Sequence, residues 1–159
     1  MRKLGVIVRY DVFANVERIR GLEDFTDDSE VDDAALSRLW IMIDEKYRFR
    51  PAWDLFCKAV EDDAYRNRYN PVDEYLTSLC WDGQSRIDRW LIDYSGAEDT
   101  PLNHAFGRLW LIAAVRRARK PGTKFDQMLV FKDQEGTGKS TAFAVLAGKD
   151  EWFTDQFPL

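Results

Sequence analysis

The chain has 159 residues, 45% of them hydrophobic and 32% charged, with a formal net charge of −5 at pH 7. This composition is typical of a folded protein, and it excludes a disordered or collagen-like chain as well as one that coats nucleic acid with its whole surface. The longest wholly apolar run, Leu109–Val115, is far shorter than a membrane-spanning helix needs. Because charged residues stand near the N-terminus, where a signal peptide needs an apolar stretch, we expect a cytoplasmic protein with no membrane partner.

The first sixty-six residues begin with a strand signal. Leu4–Tyr10 is a short β-branched run bounded by Asp11, and this predicts a strand with a hairpin partner before Gly21. Residues 23–33 are acidic and predict a solvated loop that leads into a helix cap. From Asp33 the apolar residues recur with helical spacing for nearly ninety residues.

Start and stop signals divide this helical stretch. Pro51 and the pair Asn70-Pro71 each predict a helix start, because proline suits the first position and asparagine suits the cap. The spacing Ser85-x-x-Asp88 resembles a capping box for a short helix over residues 86–94. Thr100-Pro101 predicts the start of the longest helix, which should end at residues 120–122. The six tryptophans fall mostly on the predicted apolar faces, and we expect them in the core.

Beyond residue 127 the apolar residues no longer recur with helical spacing. Met128–Phe131 is a compact apolar run of the right length for a buried strand, followed by a glycine-containing loop and a short helix that should stop at Gly148. The sequence therefore predicts an α+β chain: a mainly helical N-terminal region, then the first strand–loop–helix unit of an α/β nucleotide-binding domain. We expect a mostly helical accessory region over 1–66, a helical region over 67–127 and an incomplete nucleotide-binding core over 128–159.

The loop carries the pattern of a phosphate-binding site. Glycines at 136 and 138 allow positive φ, which turns backbone N–H groups inward, and the following helix adds its positive end. Lys139 would contact the β- and γ-phosphates of a nucleotide, Ser140 would ligate Mg²⁺, and Thr141 could reach the α-phosphate. The predicted cofactor-binding residues are Gln134, Glu135, Gly136, Thr137, Gly138, Lys139, Ser140 and Thr141.

One position departs from the full phosphate-loop pattern G-x-x-x-x-G-K-[ST]. Asp133 stands where the first glycine is expected, so its carboxylate either weakens phosphate affinity or points to solvent. A surface glycine turn with an incidental Gly-Lys-Ser is the alternative interpretation. The predicted strand before the loop and the predicted helix after it favour phosphate binding.

From about Asn70 to Asp155 the chain resembles the virulence-associated protein E family of phage and genomic-island ATPases. The resemblance rests on NPVDEYLTSLCWDG, RIDRWLIDYSGAED, LWLIAAVRRARKPGTKFDQMLVF, GTGKST and EWFTD. It implies a replication-linked ATPase similar to superfamily 3 helicases, with ATP and Mg²⁺ as cofactors, DNA as the partner of the complete protein and a homo-oligomer as its working form. Residues 1–65 match only loosely.

Few residues follow the loop helix, so we expect an N-terminal portion of a longer protein or a truncated gene product that binds nucleotide without rapid hydrolysis. Phosphoryl transfer also needs an acidic Mg²⁺ ligand and groups that neutralise developing charge, and no catalytic residue is assigned. A non-enzymatic nucleotide-binding or DNA-interaction module is the main alternative. A small-molecule kinase is less favoured, because about 130 residues precede the loop.

Two basic clusters could contact DNA. Arg116, Arg117, Arg119 and Lys120 stand at the predicted end of the longest helix. They fit either a phosphate contact or the simple preference of cations for a helix C-terminus. Basic and aromatic residues also alternate over 46–50, a pattern that suits single-stranded bases. The packing of a helix–helix joint explains that pattern as well.

Overall fold

The computed structural model describes residues 2–156, and residues 1 and 157–159 lie outside the described part. The chain divides into two compact units, Met1–Cys80 (unit 1) and Trp81–Leu159 (unit 2). The described residues combine helices with a small antiparallel sheet, so the predicted α+β class is confirmed. The finer three-part division of the chain stays a prediction.

Unit 1 contains a three-stranded antiparallel sheet with the order β1 (Ile7–Asp11), β2 (Val16–Arg20) and β3 (Ser29–Glu30). The hairpin partner before Gly21 is confirmed, whereas the predicted strand begins only at Ile7 because Arg2–Leu4 forms a 3₁₀ turn. Asp11 is buried at the end of β1, and its carboxylate accepts the backbone N–H groups of Phe13 and Ala14, at 2.9 and 3.0 Å. These bonds fix the tight turn that sets the register of the hairpin.

Three helices complete unit 1: α1 (Asp33–Tyr47), α2 (Trp53–Arg66) and α3 (Pro71–Ser78). The predicted cap of α3 is confirmed, because the Asn70 side chain accepts the first free N–H groups of the helix. One face of the sheet and the apolar faces of α1 and α2 form the core, which consists of Val6, Val8, Ile19, Leu22, Ala35, Leu39, Phe56, Val60 and Ala64. Burial of this apolar surface is the main stabilising contribution in unit 1.

Unit 2 contains α4 (Trp90–Ser95), α5 (Pro101–Arg119) and α6 (Lys139–Ala147), followed by a short 3₁₀ turn over Asp150–Trp152. The Thr100 hydroxyl caps α5 by accepting a backbone N–H, as predicted. Helix α5 ends just before residues 120–122, also as predicted. The predicted stop of α6 at Gly148 is confirmed by its left-handed backbone, with φ of 83°.

Two sequence predictions for unit 2 are corrected. Residues 128–131 form no strand within the described part of the chain, because an apolar run specifies an extended backbone but a strand also needs a hydrogen-bonded neighbour. The helix predicted from residue 86 begins only at Trp90, where Arg89 takes the cap position without a side-chain cap. Residues 86–89 form a turn instead of a capping box.

The prediction that the tryptophans lie in the core is only partly correct. Trp90 is buried, whereas Trp53 is 40% and Trp81 is 80% exposed. The remaining three are half-buried. An indole on an apolar helix face is buried only when another element covers that face, and periodicity does not report the covering element.

Candidate functional site

The loop over residues 134–141 leads directly into the N-terminus of α6. Gly136 and Gly138 have φ of 78° and 81°, the left-handed region that glycine adopts without strain. No side chain of the described residues caps α6, so its first N–H groups are not satisfied by a capping side chain. The loop therefore presents backbone donors and the positive end of the helix dipole, the features that favour an anion.

Lys139 is the first residue of α6, and its ammonium group folds back over the loop. Its Nζ donates to the carbonyl oxygens of Gln134 at 2.5 Å and Asp133 at 3.1 Å, and it lies 3.3 Å from the Thr137 hydroxyl. The Thr137 hydroxyl in turn donates to the Gln134 carbonyl oxygen at 3.1 Å. These bonds hold a full positive charge over the loop, beside the positive end of the helix.

Asp133 occupies the first position of the loop without strain. Its backbone lies outside the positive-φ region, so this position does not require the conformational freedom of glycine. Its carboxylate accepts the backbone N–H of Gln134 at 2.8 Å. The side chain is thus directed to the backbone of its own loop, an arrangement that spacing alone did not indicate.

The other predicted loop residues follow the backbone contiguously. Ser140 is the second residue of α6, and its side chain is exposed. Thr137, before Gly138, is also exposed, whereas Lys139, after it, is half-buried. The first turn of the helix closes with a bond of 2.9 Å from the Ala142 N–H to the Gly138 carbonyl oxygen. The eight predicted residues therefore form one contiguous segment that is exposed except at the half-buried Lys139.

A groove of about 1320 Å³ borders the loop within unit 2. Thr137, Gly138 and Lys139 line it together with residues of α4 and the turn after it, residues of α5 and the segment over 127–133. Sequence reasoning missed this groove, because it forms between segments far apart in the chain. The groove is larger than the cavities of about 300–1000 Å³ that commonly hold small ligands.

Four aromatic rings connect the segments around the loop. Trp90 lies 5.9 Å from Trp110 and 6.3 Å from Phe131, measured between ring centroids, and Phe143 lies 5.8 Å from Trp110. We call Trp90, Trp110, Phe131 and Phe143 the aromatic ring cluster, and it links α4 and α5 to both sides of the loop. Offset and tilted arrangements of this kind stabilise the folded state by about 0.5–1.5 kcal/mol per pair, in addition to the contribution from burying the apolar surface of the rings.

The basic cluster at the end of α5 is exposed. Arg116, Arg117 and Arg119 lie in the last turn, and Lys120 is the cap residue. The Lys120 carbonyl oxygen accepts both the backbone N–H and the hydroxyl of Thr123, which closes the turn after the helix. This position fits both interpretations of the cluster, helix-dipole complement and phosphate contact, and DNA contact by these four residues stays a prediction.

Ion pairs perturb two carboxylates of unit 2. Arg86 donates to Asp82, and together with a backbone bond from the Gln84 N–H it lowers the pKa of Asp82 to about 2. A hydrogen bond with His104 at 2.7 Å, followed by one from Arg89, lowers the pKa of Asp99. His104 therefore belongs to a local hydrogen-bonded group with Asp99 and Arg89.

The loop and α6 place two positive-φ glycines and Lys139 together at a helix N-terminus. The family model of the virulence-associated protein E-like domain matches residues 76–159, more than half of the chain. The chain therefore belongs to the virulence-associated protein E-like family. No curated protein matches it. None of the helices in the described residues combines the length and the apolarity needed to cross a membrane.

Proposed function

We propose that the Gln134–Thr141 loop binds the phosphates of ATP together with Mg²⁺, and that the chain is part of a replication-associated, helicase-like ATPase of a phage or mobile element. The observation that carries the proposal is the position of the Lys139 ammonium group over a glycine loop at the N-terminus of α6. Membership of the virulence-associated protein E-like family supports the link to phages and mobile elements.

The chemistry of the loop suits a polyphosphate. Unpaired backbone N–H groups act as directional donors to phosphate oxygens, and Lys139 adds a charge-assisted hydrogen bond. On binding, its ammonium would exchange the carbonyl oxygens of Asp133 and Gln134 for phosphate oxygens. That exchange replaces neutral acceptors with anionic ones and makes each bond stronger.

The residues present also fit Mg²⁺ as a companion of the nucleotide. Mg²⁺ usually keeps several waters and takes phosphate oxygens with one or two protein oxygens. The exposed hydroxyl of Ser140, one residue beyond Lys139, is the protein oxygen that would serve. When bound, the ion would neutralise the phosphates, while the loop and Lys139 orient them.

Calorimetry with ATP and Mg²⁺ tests the proposal. We expect Lys139→Ala to weaken ATP binding by about 1.5–3 kcal/mol, the scale of a charge-assisted hydrogen bond. Lys149→Ala is the matched control, because Lys149 follows the other end of α6 and pairs with Glu151. Equal ATP affinity of the wild type and Lys139→Ala would refute phosphate binding by the loop.

A phosphate-release assay on the same proteins separates the two classes of function. Turnover that Lys139→Ala abolishes supports an ATPase. ATP binding without turnover supports the non-enzymatic nucleotide-binding module. The distinction has a physical basis, because contacts made equally to substrate and transition state do not lower the barrier.

A further inference from the structure

The outer face of the sheet in unit 1 carries three arginines. Val8 pairs with Ile19 and both are buried, so the neighbouring positions of β1 and β2 point to the opposite face. Arg9 lies directly opposite Arg18 on that face, and Arg20 follows two residues along β2. We call this group, Arg9, Arg18 and Arg20, the arginine face.

The direct opposition of Arg9 and Arg18 costs stability, because like charges at facing positions of a sheet repel. Arg9 is compensated by an ion pair with Glu74 at 2.9 Å, and Arg20 by Asp28. Among the described residues, Arg18 is bound only by the Asp28 carbonyl oxygen, at 3.3 Å. Glu30 faces Arg18 from β3, but residues 2–156 show no ion pair between the two side chains.

The arginine face lines a cavity of about 420 Å³, within the range of ligand-sized sites. Asp28 and Asp63 also line it, and the Asp27 carboxylate lies 3.9 Å from the Arg20 guanidinium. Because Asp28 pairs with Arg20, the Arg18 guanidinium keeps most of its donors available to a ligand. A planar guanidinium matches a phosphate with two parallel hydrogen bonds.

We propose that the arginine face binds the phosphate backbone of a single-stranded nucleic acid, with Arg18 as its principal phosphate donor. The guanidinium of Arg9 favours a single strand, because it stacks on the Tyr69 ring with its carbon 3.6 Å from the ring centroid. The Arg9 side chain is 33% exposed. A guanidinium plane held in this way is a surface on which an unpaired base stacks, and bases within a duplex do not offer that contact.

The test measures fluorescence anisotropy of a labelled oligothymidylate with the full chain at several salt concentrations. We expect Arg18→Gln to weaken binding by about tenfold, the effect of one charge-assisted hydrogen bond. The slope of log K against log salt should become shallower by about 0.7, the value for one phosphate of a single strand that is no longer neutralised. Asp63→Asn should tighten binding, since it removes a negative charge from the cavity.

Arg66→Gln is the matched control. It removes the same charge from an exposed arginine of α2 that pairs with Asp62 and does not line the cavity. Lys139→Ala should leave oligothymidylate binding unchanged, so the result does not depend on nucleotide binding by the loop. Thermal unfolding of Arg18→Gln should show equal or higher stability, because the repulsion with Arg9 is relieved.

Three outcomes would overturn the proposal. The first is equal oligothymidylate affinity of the wild type and Arg18→Gln. The second is an equal loss in Arg66→Gln, and the third is competition by inorganic phosphate or polyglutamate as effective as that by unlabelled single strand. If Arg18→Gln unfolds, Arg18→Lys replaces it, because lysine keeps the charge and loses the two-bond geometry. Unchanged affinity in Arg18→Lys would then overturn the proposal.

Discussion

The rings of Phe131 and Phe143 stack with their centroids 4.7 Å apart and their planes inclined by 27°. Phe131 precedes the loop over residues 134–141, and Phe143 lies in α6, the helix that follows it. The two ends of the loop are therefore joined by a direct apolar contact. This contact limits the separation of the loop ends while glycines give the backbone between them its freedom.

We predict that Phe143→Ala lowers the free energy of unfolding of unit 2 by about 2 kcal/mol, less than the value for a fully buried phenylalanine because Phe143 is half-buried. ATP affinity should also fall, since ordering the loop then costs more. Phe143→Leu is the control, because it keeps most of the apolar volume. Denaturant unfolding and calorimetry check both effects, and an ATP affinity unaffected by Phe143→Ala would show that the stack does not order the loop.

A second prediction concerns the crossing of α4 and α5. A Cβ atom added at Gly107 would lie 2.8 Å from Nε1 of the buried Trp90 and 3.3 Å from Cδ1 of Leu91. Overpacking costs about 1–3 kcal/mol, while alanine gains about 1 kcal/mol of helix propensity over glycine. We expect Gly107→Ala to destabilise unit 2 by about 1 kcal/mol in denaturant unfolding.

The matched test of this crossing uses Trp90→Phe, which removes the indole nitrogen that meets the new methyl group. That nitrogen has no hydrogen-bond partner among the described residues, so its removal costs no hydrogen bond. Gly107→Ala should therefore destabilise the Trp90→Phe background less than the wild type. Strictly additive effects in this double-mutant cycle would refute the steric explanation.

Asp133 provides the third prediction. Its carboxylate caps the Gln134 N–H while adding a negative charge beside the loop. Asp133→Asn keeps an oxygen acceptor and removes the charge, so ATP binding should be unchanged or tighter. Asp133→Gly also removes the acceptor and frees the backbone, so its gain in ATP affinity should be smaller. Weaker ATP binding by Asp133→Asn in calorimetry would assign the carboxylate a positive role.

The fourth prediction is a pH effect in the turn that holds Asp82. The folded-state pKa of Asp82 is about 2, below its ordinary value of 3.8, so its ion pair with Arg86 stabilises the folded state above about pH 4. This contribution is lost as the pH falls through about 2. An NMR titration of the Asp82 carboxyl should show a midpoint near 2. In Arg86→Gln the midpoint should move towards 3.8, and an unchanged midpoint would show that Arg86 is not the cause.

The fifth prediction distinguishes the two interpretations of the basic cluster. If Arg116 and Arg117 bind DNA phosphates, replacing both with glutamine should make the salt dependence of single-stranded DNA binding shallower by about 0.7 for each phosphate that is no longer neutralised. Arg108→Gln is the control on the same helix. An unchanged salt dependence in the double variant would leave the cluster with only its helix-dipole role.

Local signals in the sequence determined where most helices begin and end. Asn70 and Thr100 cap their helices through bonds to N–H groups two or three residues away, and Gly148 ends α6 with a positive φ. Gly138 likewise sets the start of the loop helix. Each feature depends on a few consecutive residues, so the residue types and their spacing predict it.

Only the tertiary structure decided which distant residues meet. The absence of strand pairing at residues 128–131 in the described part of the chain, the stack of Phe131 on Phe143 and the direct opposition of Arg9 and Arg18 each depend on a partner segment or a strand register. A periodic pattern predicts which face of an element is apolar, but it contains no information on what covers that face. The loop was therefore predictable from the sequence, whereas the aromatic ring cluster that supports it and the arginine face became visible only in the folded chain.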